Sequence, residues 1–307
     1  MKTIEKAIEH QKKAEQELQA KDSVPEKIEA STEKPETDEA ASDYQTAAQV
    51  HEQPTSEPEP EPEKSISYQI NLKQPDLEQR GFLGISQSRT QLSEHARAIK
   101  HKLIQNAFGP LANTLRHANV IMVTSSHPGE GKTFTSINLA LSIAQEQDKK
   151  VLLVDADVVR PSIHQELNFS FENGLVEYLS EDRLDVADII YQTNIKNLKV
   201  MPAGQPHHLS AEYLSSTKMR KLAEDFAKRY ADRIVILDSP PLLGVNETAI
   251  LSTLVGQVVF VVEEKRSKVT DIEAAKALLP EDIACGFVVN KSSAKSMPGY
   301  GYGYGAY

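Results

Sequence analysis

The chain has 307 residues, is 39% apolar and carries a formal charge of -10; an ordinary globular domain is roughly 45–50% apolar. The deficit is local, because residues 1–64 hold 17 acidic and 8 basic side chains, no Gly, Phe or Trp, and a single Tyr. One cysteine excludes a disulfide framework and a cysteine-based zinc site, and the absence of a long basic cluster argues against nucleic acid as a partner.

The opening, MKTIEKAIEHQ, has no apolar centre that would serve as a signal peptide. Residues 4–20 carry only a thin apolar face (Ile4, Ala7, Ile8, Ala14, Leu18), so coil is expected there. Residues 54–63, PTSEPEPEPE, read as an extended acidic spacer. Residues 1–76 are therefore expected to form a disordered acidic extension, since they cannot bury enough apolar surface to offset ordering entropy. Composition becomes globular near Leu77. Gln91 to Phe108 has helical apolar spacing (Leu92, Ala96, Ile99, Leu103, Ile104, Ala107) and stops at Gly109-Pro110.

Strands and helices then alternate. Apolar runs at Val120–Thr124, Val151–Val154, Leu198–Pro202, Ile234–Leu237, Val258–Val262 and Gly286–Val289 read as strands. Thr133–Gln147 and Met219–Ala231 read as helices between them. The longest apolar stretch, Ile250 to Val262, is interrupted and short of the ~20 residues of a spanning helix. Continuous apolar strands alternating with helices predict an α/β fold with a mostly parallel central sheet covered on both faces. Sites on such sheets lie at the carboxyl ends of the strands.

The first strand runs into Ser126-His127-Pro128-Gly129-Glu130-Gly131-Lys132-Thr133, followed by a helix. This order of strand, glycine-rich loop and helix suits a phosphate cradle, and with the parallel sheet it implies a P-loop NTPase-like sandwich. The glycines let the backbone wrap an anion, and the amides and helix N-terminus face phosphate oxygens. Lys132 is placed for the β- and γ-phosphates, and the Thr133 hydroxyl for Mg2+. The usual first glycine of the loop is Ser126 here.

Two later strands end in acid, at Asp155-Ala156-Asp157 and at Asp238-Ser239-Pro240-Pro241. Nucleotide-bound Mg2+ takes one or two carboxylates together with phosphate oxygens and waters. A further carboxylate would orient an attacking hydroxyl or take its proton. Singly, such residues equally well cap the following helices. Arg160 reads either as a phosphoryl contact or as an ordinary surface arginine.

Together SHPGEGKT (126–133), VLLVDAD (151–157) and IVILDSPP (234–241) resemble the motifs of the bacterial tyrosine kinases of exopolysaccharide assembly. Within that family the chain is similar to the autokinases of exosortase-associated polysaccharide loci. The resemblance covers about residues 77–307. It implies ATP and Mg2+ as cofactors and a kinase domain over residues 77–296. Lys132, Asp155 and Asp157 would be catalytic. Pro128 to Phe134 would bind nucleotide, with Asn290 near the base. Thr133, Asp155 and Asp238 would hold the metal. An early helix of this family carries Glu-x2-Arg-x2-Arg, which builds a ring of subunits; here it reads Glu94, Arg97 and Lys100, with all three charges expected on one side of the helix. The family's acceptor is a C-terminal tyrosine cluster, here Tyr300, Tyr302, Tyr304 and Tyr307 in a glycine-rich tail over residues 297–307. Further implications are phosphorylation in trans within the ring, a membrane chain-length-determinant (polysaccharide copolymerase) partner and a cognate tyrosine phosphatase. The chain would be cytoplasmic, peripheral to the inner membrane through that partner.

Two rival readings share the motifs. A partitioning or site-selection ATPase would carry a signature Lys where His127 stands and would lack the tyrosine tail. A non-catalytic nucleotide-binding scaffold would not need all the phosphate and metal groups. His207 and His208 read as surface residues, and Cys285 as a small core residue starting a strand.

Overall fold

The computed structural model describes residues 69–84, 90–110, 112–228 and 232–292. The acidic extension before residue 69 and the tyrosine tail lie outside the described residues. Eight strands form one sheet: β1 (Gln69–Ile70), β2 (Val120–Ser125), β3 (Lys150–Asp155), β4 (Tyr191–Thr193), β5 (Leu198–Met201), β6 (Arg233–Asp238), β7 (Gln257–Glu263) and β8 (Ala284–Asn290). Their spatial order is β1-β4-β5-β3-β6-β2-β7-β8. Every pair is parallel except β4 with β5. The helices among the described residues are α1 (Gln74–Gln79), α2 (Gln91–Phe108), α3 (Lys132–Ala144), α4 (Ile163–Glu166), α5 (Leu175–Ser180), α6 (Ser210–Leu214), α7 (Thr217–Lys228), α8 (Asn246–Ser252) and α9 (Val269–Lys276).

Side chains of a strand alternate between faces, and here both faces are apolar. Val120, Met122, Leu152 and Val154 join one core with Leu175, Met219, Leu222, Phe226 and Leu251. Ile121, Val123, Val151 and Leu153 join the other with Leu77, Leu103, Ile137 and Ile143. The sheet is thus the middle of three layers. This two-sided burial is why the central strands read as unbroken apolar runs rather than as alternating ones.

The folded body starts earlier than the boundary drawn at Leu77. Gln69–Ile70 pairs with β4, and Leu72 exchanges hydrogen bonds with the Asn194 amide, at 2.8 and 3.0 Å. Strands of two or three residues carry no readable periodicity, so β1 and β4 were silent in the sequence. At the opposite edge β8 has no neighbour on its outer side among the described residues. Cys285 on it is only half-buried, and Phe287 and Val289 are exposed.

α2 spans the predicted residues. Thr90 caps it, its Oγ1 accepting from Ser93 N while Ser93 Oγ accepts from Thr90 N, and Gly109 ends it. Its three predicted charges do not share one side. Glu94 and Arg97 are exposed and pair with each other, whereas Lys100 is buried against α3. Lys100 Nζ donates to Ser142 O at 3.3 Å and pairs with Glu146 at 2.5 Å. Each step of three residues falls about 60° short of a full turn, so six residues drift by about 120°, from solvent to the helix interface. Lys100→Ala is expected to lower stability by about 1–2 kcal/mol through the lost stem packing and ion pair. Urea unfolding reads this; a changed oligomer with unchanged stability would instead return Lys100 to a subunit contact.

Candidate active site

The carboxyl ends of β2, β3 and β6 lie side by side, and each delivers one part of the site. Leaving β2, the chain makes the loop Ser126–Gly131 and enters α3 at Lys132. Gly129 and Gly131 take left-handed backbone, at φ 83° and 97°. A Cβ on Gly131 would collide with the Asn290 side chain, so glycine is required there twice over. The loop is braced from the β7–α9 side. Glu130 is buried; its carboxylate accepts from His127 N at 2.8 Å and from the Ser267 hydroxyl. His127 Nε2 meets Asp271 on α9 at 3.0 Å. Lys291 donates to Gly129 O at 2.7 Å, and Asn290 to Glu130 O at 3.0 Å. Asn290 is therefore engaged with the loop backbone, and the Glu130 side chain braces the loop. Phe134 stacks on Phe82, with ring centroids 5.6 Å apart.

β6 ends at Asp238, which is fully buried. Its Oδ2 accepts from Thr133 Oγ1 at 2.7 Å and its Oδ1 from Ser136 Oγ at 2.8 Å. Thr133 Oγ1 also lies 2.9 Å from Ser162 Oγ. β3 ends at Asp155, also buried. Its Oδ2 accepts from the N–H groups of Ser162 and Ile163, both at 3.0 Å, and its Oδ1 from Asp157 N at 3.2 Å. Asp157 accepts from Arg160 N at 2.9 Å, and Arg160 itself is exposed. Asp155 and Asp238 are directly paired in the β3–β6 register.

Three carboxyl groups in one buried place repel one another. Burial holds Asp155 well above the ordinary carboxylate range, and the charge of Asp238 adds to it. Burial raises Asp157, against the pull of the Arg160 amide and the Lys132 charge. Burial pushes Asp238 up to about 6, against the hydrogen bonds from Thr133 and Ser136. Lys132 is itself buried and acts on both Asp157 and Asp238. Such a set favours a divalent cation, which would restore the charged forms. Among the described residues no group of three His, Cys, Asp or Glu is arranged to hold an ion alone. That suits Mg2+, which keeps waters and phosphate oxygens beside one or two protein ligands. The Ser126 hydroxyl, buried in the loop, has no hydrogen-bond partner among the described residues and is left for an entering oxygen. The residues thus fit a magnesium nucleotide.

The structure brings together Lys132, Thr133, Asp155, Asp157 and Asp238, as the motifs imply. It adds Ser136 and Ser162. Ser136 lies three residues after Thr133 and so on the same helix face; Ser162 left no signal, because only the fold of the β3–α4 loop carries it back. His207 and His208 are exposed, as expected.

A family model described as an AAA domain matches residues 118–272. The chain is 32% identical over 226 residues to the tyrosine-protein kinase YwqD of Bacillus subtilis, covering 73% of this chain and 91% of that protein. It is 34% identical over 192 residues to the putative tyrosine-protein kinase EpsB of Ralstonia nicotianae, covering 62% of this chain but only 25% of that longer protein. Among solved structures, the kinase domain of the Escherichia coli tyrosine kinase ETK superposes with a TM-score of 0.57, with 26% identity over 76% of this chain and 94% of that one. With motifs, fold and relatives in agreement, the chain belongs to the bacterial tyrosine kinase family.

Proposed function

We propose that this chain is an ATP-dependent protein-tyrosine autokinase that phosphorylates its own C-terminal cluster. The observation that carries the reading is the convergence of Lys132, Thr133, Asp155, Asp157 and Asp238 on one rim of the sheet. Lys132 and the loop amides hold the phosphates. Thr133 and Asp238, with Asp155, are the residues that would hold Mg2+, which neutralises phosphate charge when bound. Asp155 and Asp157 orient the tyrosine hydroxyl and take its proton. The phenolic oxygen forms a bond to the terminal phosphorus as the bond to the bridging oxygen breaks. Positioning and charge stabilisation supply the rate.

The acceptors are Tyr300, Tyr302, Tyr304 and Tyr307, reached in trans within a homo-oligomeric ring to which Glu94 and Arg97 contribute. No described helix is long and apolar enough to cross a membrane, and we place the chain in the cytoplasm beside a membrane chain-length-determinant protein of exopolysaccharide assembly. A tyrosine phosphatase would reset the tail. Incubation of the purified chain with Mg-ATP is expected to yield phosphotyrosine in the tail, lost when all four tail tyrosines are Phe. ATP hydrolysis without phosphotyrosine would favour a partitioning ATPase. Neither activity, even with the partner's cytoplasmic segment present, would favour a scaffold.

A further inference from the structure

A second cleft, unused by the phosphate chemistry, lies beside the carboxylates. Ile163, whose N–H holds Asp155, is followed by His164. From there the chain borders a cleft of about 440 Å3 lined by Pro161, His164, Phe169, Phe171, Gly204 and Pro206, among others. None of its lining residues is acidic, Lys or Arg. Its walls are aromatic. His164 meets Phe171 edge-on at 5.2 Å, and Phe171 lies 6.4 Å from Phe169. Both phenylalanines are anchored from beneath on the buried core. The far wall is pinned by Glu177, which accepts from Gly174 N at 2.7 Å and Gln205 N at 2.8 Å. His164 Nδ1 is buried and has no hydrogen-bond partner among the described residues.

An uncharged cleft with aromatic walls, and with the polar side chains of Gln165, Ser170 and Gln205 in its lining, suits a flat apolar ring with a polar tip, which describes a phenol. Its place matters as much as its lining. The cleft begins one residue beyond the amide on Asp155, or about 4 Å further along the chain. Alternate side chains of an extended peptide share a face and repeat every ~7 Å. The tail places tyrosine at every second position from Tyr300 to Tyr304, with glycine between them. Glycine, lacking a Cβ, lets such a peptide pass close over the rim.

We infer that this cleft docks an unmodified tyrosine of the tail of a second copy, while the tyrosine two positions away faces Asp155 and Asp157. The inference rests on the kinase reading above and adds how that site reads its substrate. A second copy is the favoured source because of topology. The described chain ends just after β8, and β7, β2 and β6 stand between β8 and β3. At ~4.8 Å per strand that path is about 19 Å to β3 and 24 Å to β5. Length alone does not exclude a chain's own tail, since Ser292 to Tyr302 spans up to ~35 Å when straight. Running from β8 to β3, however, it would have to cross the phosphate loop after β2, where nucleotide sits. A phosphotyrosine would bring about -1.5 to -2 charges into an uncharged cleft, so the site selects phenols not yet modified.

The test uses the full chain with its four tail tyrosines changed to Ala, so that no internal tail competes. A fluorescein-labelled peptide of residues 297–307 is titrated in Mg-ADP and followed by anisotropy. Phe171→Ala and, separately, His164→Ala should weaken binding, the former by roughly tenfold. A peptide keeping only Tyr302 should bind the parent about tenfold more weakly than the full peptide. It should lose nothing further on Phe171→Ala. A peptide phosphorylated on Tyr300 and Tyr304 should behave like the single-tyrosine one. With Mg-ATP, the two variants should raise the peptide's KM while kcat holds. Equal affinity of full and single-tyrosine peptides for the parent would overturn the docking site, as would equal proportional losses of both peptides on both variants. A peptide that binds in this pattern but is never phosphorylated would support the cleft and overturn the kinase reading instead.

Discussion

Lys132→Met is expected to lower the initial rate of tail phosphorylation by about 100- to 1000-fold. Lys132 is the first residue of α3, buried beneath the loop, and its charge acts on Asp157 and Asp238. Methionine keeps the apolar stem and removes only the ammonium, so packing survives while the countercharge to the phosphates is lost. Quantified phosphotyrosine at saturating Mg-ATP reads the rate, and a melting temperature within a few degrees of the parent shows that the fold persists. Retention of more than about a tenth of the rate would remove Lys132 from the chemistry, because a group holding developing charge in a buried site is worth far more than that.

The second large effect is on stability, and it has an unusual sign. Most carboxylates in folded proteins are stabilised in their charged form, so acid destabilises the fold. Asp238 is the reverse. Its pKa rises from 3.8 to about 6 because it is fully buried. The folded chain then binds this proton more tightly than the unfolded chain, and folding is favoured by acid in the window between the two values. Stability should fall as pH rises from about 4 to about 6 and stay lowered above that, by on the order of 3 kcal/mol at most. Asp155, raised for the same reason, acts in the same direction. His164 opposes them, since its lowered pKa means that protonation at low pH disfavours the fold. Comparison with Asp238→Asn cancels that contribution. The parent's melting temperature, measured relative to the variant, should drop between about pH 4 and pH 6 and stay level above that. Mg-ADP should close the gap at the upper end, because the charged carboxylates then have a cation. Parallel melting curves for parent and variant across this range, with and without Mg-ADP, would show that Asp238 ionises without strain and that the acidic cluster is not poised for an ion.

Both expectations concern residues that motif reading had already named, and the reason is physical. A phosphate cradle needs glycines, a lysine and a hydroxyl within one turn of chain, so all of it is local in sequence. The acidic strand ends are equally local, since an aspartate after a buried apolar run is conspicuous. Helix α2 was legible to the residue because apolar spacing and Gly109-Pro110 coincide. β1 and β4 were not, because two or three residues cannot display a period.

What sequence alone determined here is the set of chemical groups and the order in which the strands carry them: a phosphate loop, then an Asp-x-Asp, then an Asp-Ser-Pro-Pro. Tertiary structure decided which of them meet. It set β6 between β3 and β2, so that Asp238 joins Asp155 on one side and Thr133 on the other. It turned Lys100 inward, brought Ser162 back to Thr133 and gathered Phe169 and Phe171 into one cleft with Gly204 and Pro206. Those contacts join residues far apart in the chain, and such proximity arises only when the layers close on one another and exclude water.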